Sequence, residues 1–146
     1  MLKGIPSIIS PELLKILCEM GHGDELVIAD GNFPSESVGK NAVVIRADGH
    51  GVPELLDAIL SLIPLDASVE KPVALMEVSA GDTCPTPEIW TTYREILKKH
   101  EPEHNGIEMT ERFAFYERAK KAYLIIATGE TAIYANVLLK KGVVKP

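Results

Sequence analysis

Gly21-His22-Gly23-Asp24-Glu25-Leu26-Val27-Ile28-Ala29-Asp30-Gly31-Asn32-Phe33-Pro34 is the stretch that decides the fold. A helix stops here, a strand runs, and polar groups bracket the strand. Glycine at 21 and 23 lets the chain turn sharply and leaves His22 little steric cover. Leu26-Val27-Ile28-Ala29 is a continuous apolar run, the pattern of a strand covered on both faces. Asp30 stands at that strand's carboxyl end, where open α/β sheets bind ligands. An imidazole and several carboxylates around one short strand suggest proton transfer on a small polar ligand.

Upstream, Ser10-Pro11-Glu12 reads as a helix start: serine caps, proline suits the first turn and glutamate suits the positive end of the dipole. Leu13, Leu14, Leu17 and Cys18 recur at helical spacing, and Gly21 ends the element. The same pattern places the Cys18 thiol in the core.

Downstream, residues 31–41 read as a loop and Ala42 to Arg46 as a second strand. Ala47-Asp48-Gly49-His50-Gly51 is a turn. Val52 to Ile63 places Leu55, Leu56, Ile59, Leu60 and Ile63 on one helical face, stopped by Pro64. Pro72 to Val78 reads as a third strand with proline at its permitted first position. A helix opens after Thr86-Pro87-Glu88, with Ile89, Trp90, Tyr93, Ile96 and Leu97 as its buried stripe. Arg112 to Lys121 is predicted helical, with Phe113, Tyr116, Ala119 and Lys120 on one side. Tyr123 to Ala127 and Asn136 to Leu139 complete a set of five strands. Alternating strands and helices predict an α/β layered fold with a largely parallel sheet, organised as one domain over residues 1–146.

The composition agrees. The chain has 146 residues, of which 46% are hydrophobic and 25% charged, enough for one packed core. A formal net charge of -6 argues against nucleic acid or an anionic membrane surface as the main partner. Two cysteines, Cys18 and Cys84, make no disulfide framework and point to the reducing cytoplasm. No apolar run approaches the ~18 residues of a membrane span, and the N-terminus lacks signal-peptide character.

Several residues are candidates for chemistry. His22 can exchange protons near neutral pH, and it also reads as an ordinary loop histidine. Asp30 could bind a sugar hydroxyl or serve only the turn at the strand end. Arg112-Phe113-Ala114-Phe115-Tyr116-Glu117-Arg118 concentrates aromatic and basic groups; Tyr116 offers a phenol as a second proton carrier, while core packing explains the rest. Tyr134-Ala135-Asn136 is a polar cluster at a strand start, either a capping turn or a hydroxyl-binding group, since an asparagine amide both donates and accepts. One histidine with no His-x-x-x-His or Cys-x-x-Cys partner gives no metal motif. Asp48-Gly49-His50-Gly51 lacks a phosphate-loop pattern.

Taken together, Ile9-Ser10-Pro11-Glu12-Leu13-Leu14, Met20-Gly21-His22-Gly23-Asp24-Glu25, Asn32-Phe33-Pro34, Ile45-Arg46-Ala47-Asp48-Gly49, Arg112 to Ala119, Thr128-Gly129-Glu130 and Leu138-Leu139-Lys140-Lys141-Gly142-Val143 carry a resemblance. Over essentially its whole length the chain resembles the sugar mutarotases, a family that includes D-ribose pyranase, and within it the L-fucose branch.

The resemblance implies a three-layer α/β/α subunit in a homo-oligomeric ring, often a decamer, with active sites shared between neighbours. It implies His22 as catalytic acid and Tyr116 as the second catalytic group. It also implies sugar contacts from Asp30, Asp66, Arg112, Tyr134 and Asn136. Ala135 stands where many relatives carry glycine. The reaction is interconversion of α and β anomers by opening and reclosing the hemiacetal, which needs no cofactor, metal or covalent nucleophile. Two alternatives stay open: pyranose–furanose interconversion of D-ribose, and a non-catalytic monosaccharide-binding accessory protein of sugar uptake.

Overall fold

The structure, a computed structural model, describes residues 1–146. Its elements in chain order are α1 (Pro11–Glu19), β1 (Glu25–Ala29), α2 (Ser35–Val38), β2 (Val43–Ala47), α3 (Val52–Leu60), β3 (Val73–Met76), α4 (Ile89–His100), β4 (Ile107–Thr110), α5 (Arg112–Lys120), β5 (Leu124–Thr128) and β6 (Val137–Lys140). The strands form one sheet in the order β2-β5-β1-β6-β3-β4. β2, β5 and β1 pair in parallel, as do β3 and β4, while β6 is antiparallel to both β1 and β3. Five strands therefore run one way, and β6 joins two parallel halves in the opposite direction.

Side-chain alternation along the strands splits the apolar residues into two cores. Leu26, Ile28, Leu75, Leu124, Ile126 and Leu139 face α1, α3 and α4. Val27, Ala29, Ala74, Met76, Ile125 and Leu138 face α2 and α5. Helices on both faces give the three layers, and they explain why β1 and β5 read as unbroken apolar runs. No helix is long and apolar enough to cross a membrane.

The local signals act as expected at α1, where the Ser10 hydroxyl accepts from the Leu13 N–H at 3.1 Å. Trp90, Tyr93 and Leu97 are the buried stripe of α4. Gly129 ends β5 against the turn after β2. A Cβ on it would lie 1.9 Å from the Asp48 carbonyl oxygen, so only glycine permits this approach of two backbones.

Several expectations need correction. The sheet has a sixth strand, β4, pairing only with β3 at the sheet edge. Ile107-Glu108-Met109-Thr110 is short and half exposed, so it carries little apolar signal. The loop at 31–41 contains the single-turn helix α2. Cys18 is exposed: α1 buries Leu13, Ile16 and Leu17, and position 18 rotates away from that stripe. In α5 the buried residues are Phe115 and Ala119, while Phe113 is exposed and Lys120 turns outward to pair with Glu117. Arg118 binds Glu25 at 2.8 Å and Glu108 at 3.0 Å, tying α5 to β1 and β4 through its polar side.

Candidate functional site

The carboxyl edge of the parallel strands carries an open cavity of about 280 Å³ lined by Asp30, Asn32, Phe33, Met76, Asp82, Arg112, Tyr116, Ile133, Tyr134 and Asn136. Its size is at the small end of ligand pockets and suits one small polar ring. Asp30 follows β1, Met76 ends β3, and Arg112 and Tyr116 open the helix after β4. Tyr134 and Asn136 reach the same edge because β6 runs backwards, bringing its amino end to the others' carboxyl ends.

Asp30 and Asn136 are both buried and hold each other. The Asp30 N–H donates to Asn136 Oδ1 at 2.7 Å, and the Ala135 N–H donates to Asp30 Oδ2 at 3.3 Å. With its oxygen occupied by backbone, the Asn136 carboxamide directs its NH₂ to donate into the cavity. Burial raises the Asp30 carboxyl above its ordinary value, against the lowering effect of backbone N–H donors.

The Glu111 carboxylate caps α5 by accepting from the Phe113 and Ala114 N–H groups, each at 3.0 Å. That cap sets the helical phase, placing Arg112 and Tyr116 one turn apart on one face. Arg112 Nε donates to the Tyr116 hydroxyl oxygen at 3.2 Å, and the guanidinium carbon lies 5.5 Å from the Tyr116 ring centroid. The Tyr116 ring also packs edge-on against Phe33 at 5.5 Å. The guanidinium thus stands directly against the phenol oxygen of a residue that lines the cavity.

Asp82 is assigned no role by the sequence reading. It enters the cavity by accepting from the Tyr134 hydroxyl, a bond that holds its carboxyl below the ordinary range. Tyr134 itself has φ 55, a left-handed conformation unusual for an aromatic residue.

His22 and Asp66 sit at the opposite edge of the sheet. His22 precedes β1, and Asp66 lies where its N–H donates to the Lys140 carbonyl at the end of β6. At ~3.3 Å per residue, the strand alone puts roughly 15 Å between His22 and Asp30. The two form a dyad: His22 Nε2 is 3.0 Å from Asp66 Oδ1, with the imidazole 51% exposed and the carboxylate 4% exposed. Asp66 Oδ1 also accepts from the Ser68 hydroxyl at 2.6 Å and the Ser68 N–H at 3.0 Å. With Nε2 turned to Asp66, the imidazole presents Nδ1 outward.

The structure thus brings together Asp30, Arg112, Tyr116, Tyr134 and Asn136, and separately His22 with Asp66. No group of three or more His, Cys, Asp or Glu side chains is arranged to hold a metal ion.

The dyad has a consequence for acid stability. Donors from Ser68, then His22, move the Asp66 carboxyl from its usual 3.8 to about 2. The folded-state value is depressed, so its stabilising contribution is complete above the unfolded value and fades as pH falls from 3.8 toward about 2. In urea titrations of the wild type and Asp66→Asn, the stability gap should narrow steadily across that window. A gap independent of pH there would show that the contacts to Asp66 do not favour its ionised form.

Residues 3–144 match the family model described as the RbsD / FucU transport protein family. The chain is 53% identical to the fucose mutarotase of Danio rerio, over 99% of this chain and 95% of that protein. Among solved structures, FucU from Bifidobacterium longum superposes with TM-score 0.94 at 61% identity, covering 98% of this chain and 100% of that one. The fucose mutarotase of Streptococcus pneumoniae, solved in complex with L-fucose, gives TM-score 0.92 at 53% identity, covering 99% and 100%.

Proposed function

The chain belongs to the RbsD / FucU transport protein family, and from that premise and its carboxyl-edge cavity we infer that it is an L-fucose mutarotase, an isomerase interconverting the α and β anomers of L-fucopyranose. The observation that carries the reading is the cavity's polar lining: a buried carboxylate, an outward-donating amide and an arginine-backed phenol around a space sized for one sugar ring.

Asp30, Tyr134 and Asn136 hold ring hydroxyls, and Arg112 supports Tyr116. In ring opening the deprotonated Tyr116 oxygen, beside the Arg112 guanidinium, takes the proton of the anomeric hydroxyl while His22 donates one to the ring oxygen. The bond from the anomeric carbon to the ring oxygen breaks, and the anomeric carbon becomes an aldehyde. Rotation of the aldehyde and reversal of the proton transfers close the other anomer. Asp66 orients the imidazole. A positioned acid and base supply about 10²–10⁴-fold, and holding the open chain near its closing geometry adds more.

His22 of one copy serves the cavity of a neighbour in a homo-oligomeric ring, such as a decamer. The separation of the two clusters to opposite sheet edges supports this arrangement. We take residues 1–146 as one mutarotase domain, supported by a single sheet that uses strands from Glu25 to Lys140. Cytoplasmic residence fits its two free cysteines.

The test is magnetisation exchange between the α and β anomeric protons of L-fucose, with and without the protein, and with D-ribose beside it. Faster fucose exchange is the expected result. Acceleration of ribose alone would move the chain to pyranose–furanose interconversion. Sugar binding without acceleration of either would leave a binding protein.

A further inference from the structure

Trp90 and Tyr93 lie outside the cavity lining, yet both spend their polar atoms on the chain that builds it. They stand one turn apart on the buried stripe of α4, and both are buried. Trp90 Nε1 donates to the Tyr134 carbonyl at 2.8 Å. The Tyr93 hydroxyl donates to the Ala135 carbonyl at 2.6 Å. These are successive carbonyls of the turn that delivers Tyr134 and Asn136 to the cavity. The turn needs holding, because Tyr134 has φ 55, a region that L side chains disfavour. Its other face is held by the Ala135 N–H on Asp30 and by Asp30 on Asn136.

We propose that Trp90 and Tyr93 are positioning residues of the active site, a two-point clamp from α4 that holds the left-handed turn at Tyr134 and so aims Tyr134 and Asn136 at the sugar. The inference rests on the mutarotase reading of the cavity. Both donors are built for permanence. Burial pushes the Tyr93 phenol far above its ordinary value, so it keeps its proton throughout the working range. The indole N–H only donates. Each bond also satisfies a carbonyl in the interior; Ala135 is fully buried. A clamp from a helix packed on the sheet is rigid, which suits aiming small groups.

The experiment compares L-fucose exchange in the wild type, Tyr93→Phe and Trp90→Phe, each checked for folding and assembly. Loss of either donor should lower kcat/KM about tenfold, since small misplacements of ligand-holding groups are costly. Tyr93→Phe is then repeated in a Tyr134→Phe/Asn136→Ala background. There the clamp has neither polar group left to aim, and Tyr93→Phe should cost less than about twofold. An equal loss in both backgrounds would mean that the phenol acts independently of the turn, overturning the proposal. A second readout needs no turnover: Trp90 is the sole tryptophan, and its indole N–H resonance should shift when L-fucose saturates the cavity. A resonance indifferent to bound sugar would also count against the clamp. An unmutated chain with no fucose exchange and no binding would remove the reading beneath the proposal. An active wild type whose Tyr93→Phe and Trp90→Phe forms keep full turnover would overturn the clamp alone.

Discussion

His22→Ala is expected to lower fucose anomer exchange by about 10²–10⁴-fold, the usual worth of a positioned acid–base group, while the chain stays folded and assembled. Retention of the fold follows from the surroundings of Asp66. With the imidazole gone, Asp66 Oδ1 still accepts from the Ser68 hydroxyl and N–H, so the buried carboxylate is not orphaned. The imidazole itself is half exposed and supports no core. Loss of rate without loss of Tm therefore reads chemistry. Unchanged exchange would remove His22 from the mechanism and leave the proton transfers to groups of the cavity itself.

Equal mixing of His22→Ala and Tyr116→Phe chains, refolded together, is expected to restore activity that neither has alone. Within one chain the two groups lie at opposite edges of the sheet, so no single copy can place both on one sugar. If each site takes His22 from one copy and Tyr116 from its neighbour, random assembly makes about one quarter of the sites intact. The mixture should then recover roughly a quarter of wild-type exchange, against a small residual in each parent. Recovery no greater than the average of the two parents would mean that the site does not combine these residues from different copies. Tyr116→Phe is the suitable partner because it removes only the hydroxyl. The ring retains its packing on Phe33 and its place beside Arg112.

Most elements were legible because their signals are local. Ser10-Pro11-Glu12 specifies a helix start through hydrogen bonds within four residues. Leu26 to Ala29 specifies a doubly covered strand by composition alone. Where the local signal is thin, only tertiary contacts define the element. β4 is a short, half-covered edge strand held by β3, and only pairing reveals it. The helical spacing puts Cys18 with the buried residues, but the face is set by where the sheet lies beneath Leu13, Ile16 and Leu17.

The candidate residues show the same division. Their chemistry is a property of the sequence: an imidazole flanked by glycines, an aspartate ending a strand, an arginine four residues before a tyrosine, an asparagine opening the last strand. Their grouping is a property of the tertiary structure. Asp30 and Asn136 are 106 positions apart in the chain, yet are hydrogen-bonded, because β6 inserts antiparallel beside β1. His22 and Asp30 are near neighbours in sequence, yet are separated by the full length of β1. Asp82, Trp90 and Tyr93 gained their roles only through contact with the turn at Tyr134, and nothing within a few residues of them announces it. The reason is physical. Helix phase, caps and strand character depend on interactions a few residues long. Strand order and direction depend on hydrogen bonds and burial shared between distant segments, and those decide which side chains meet.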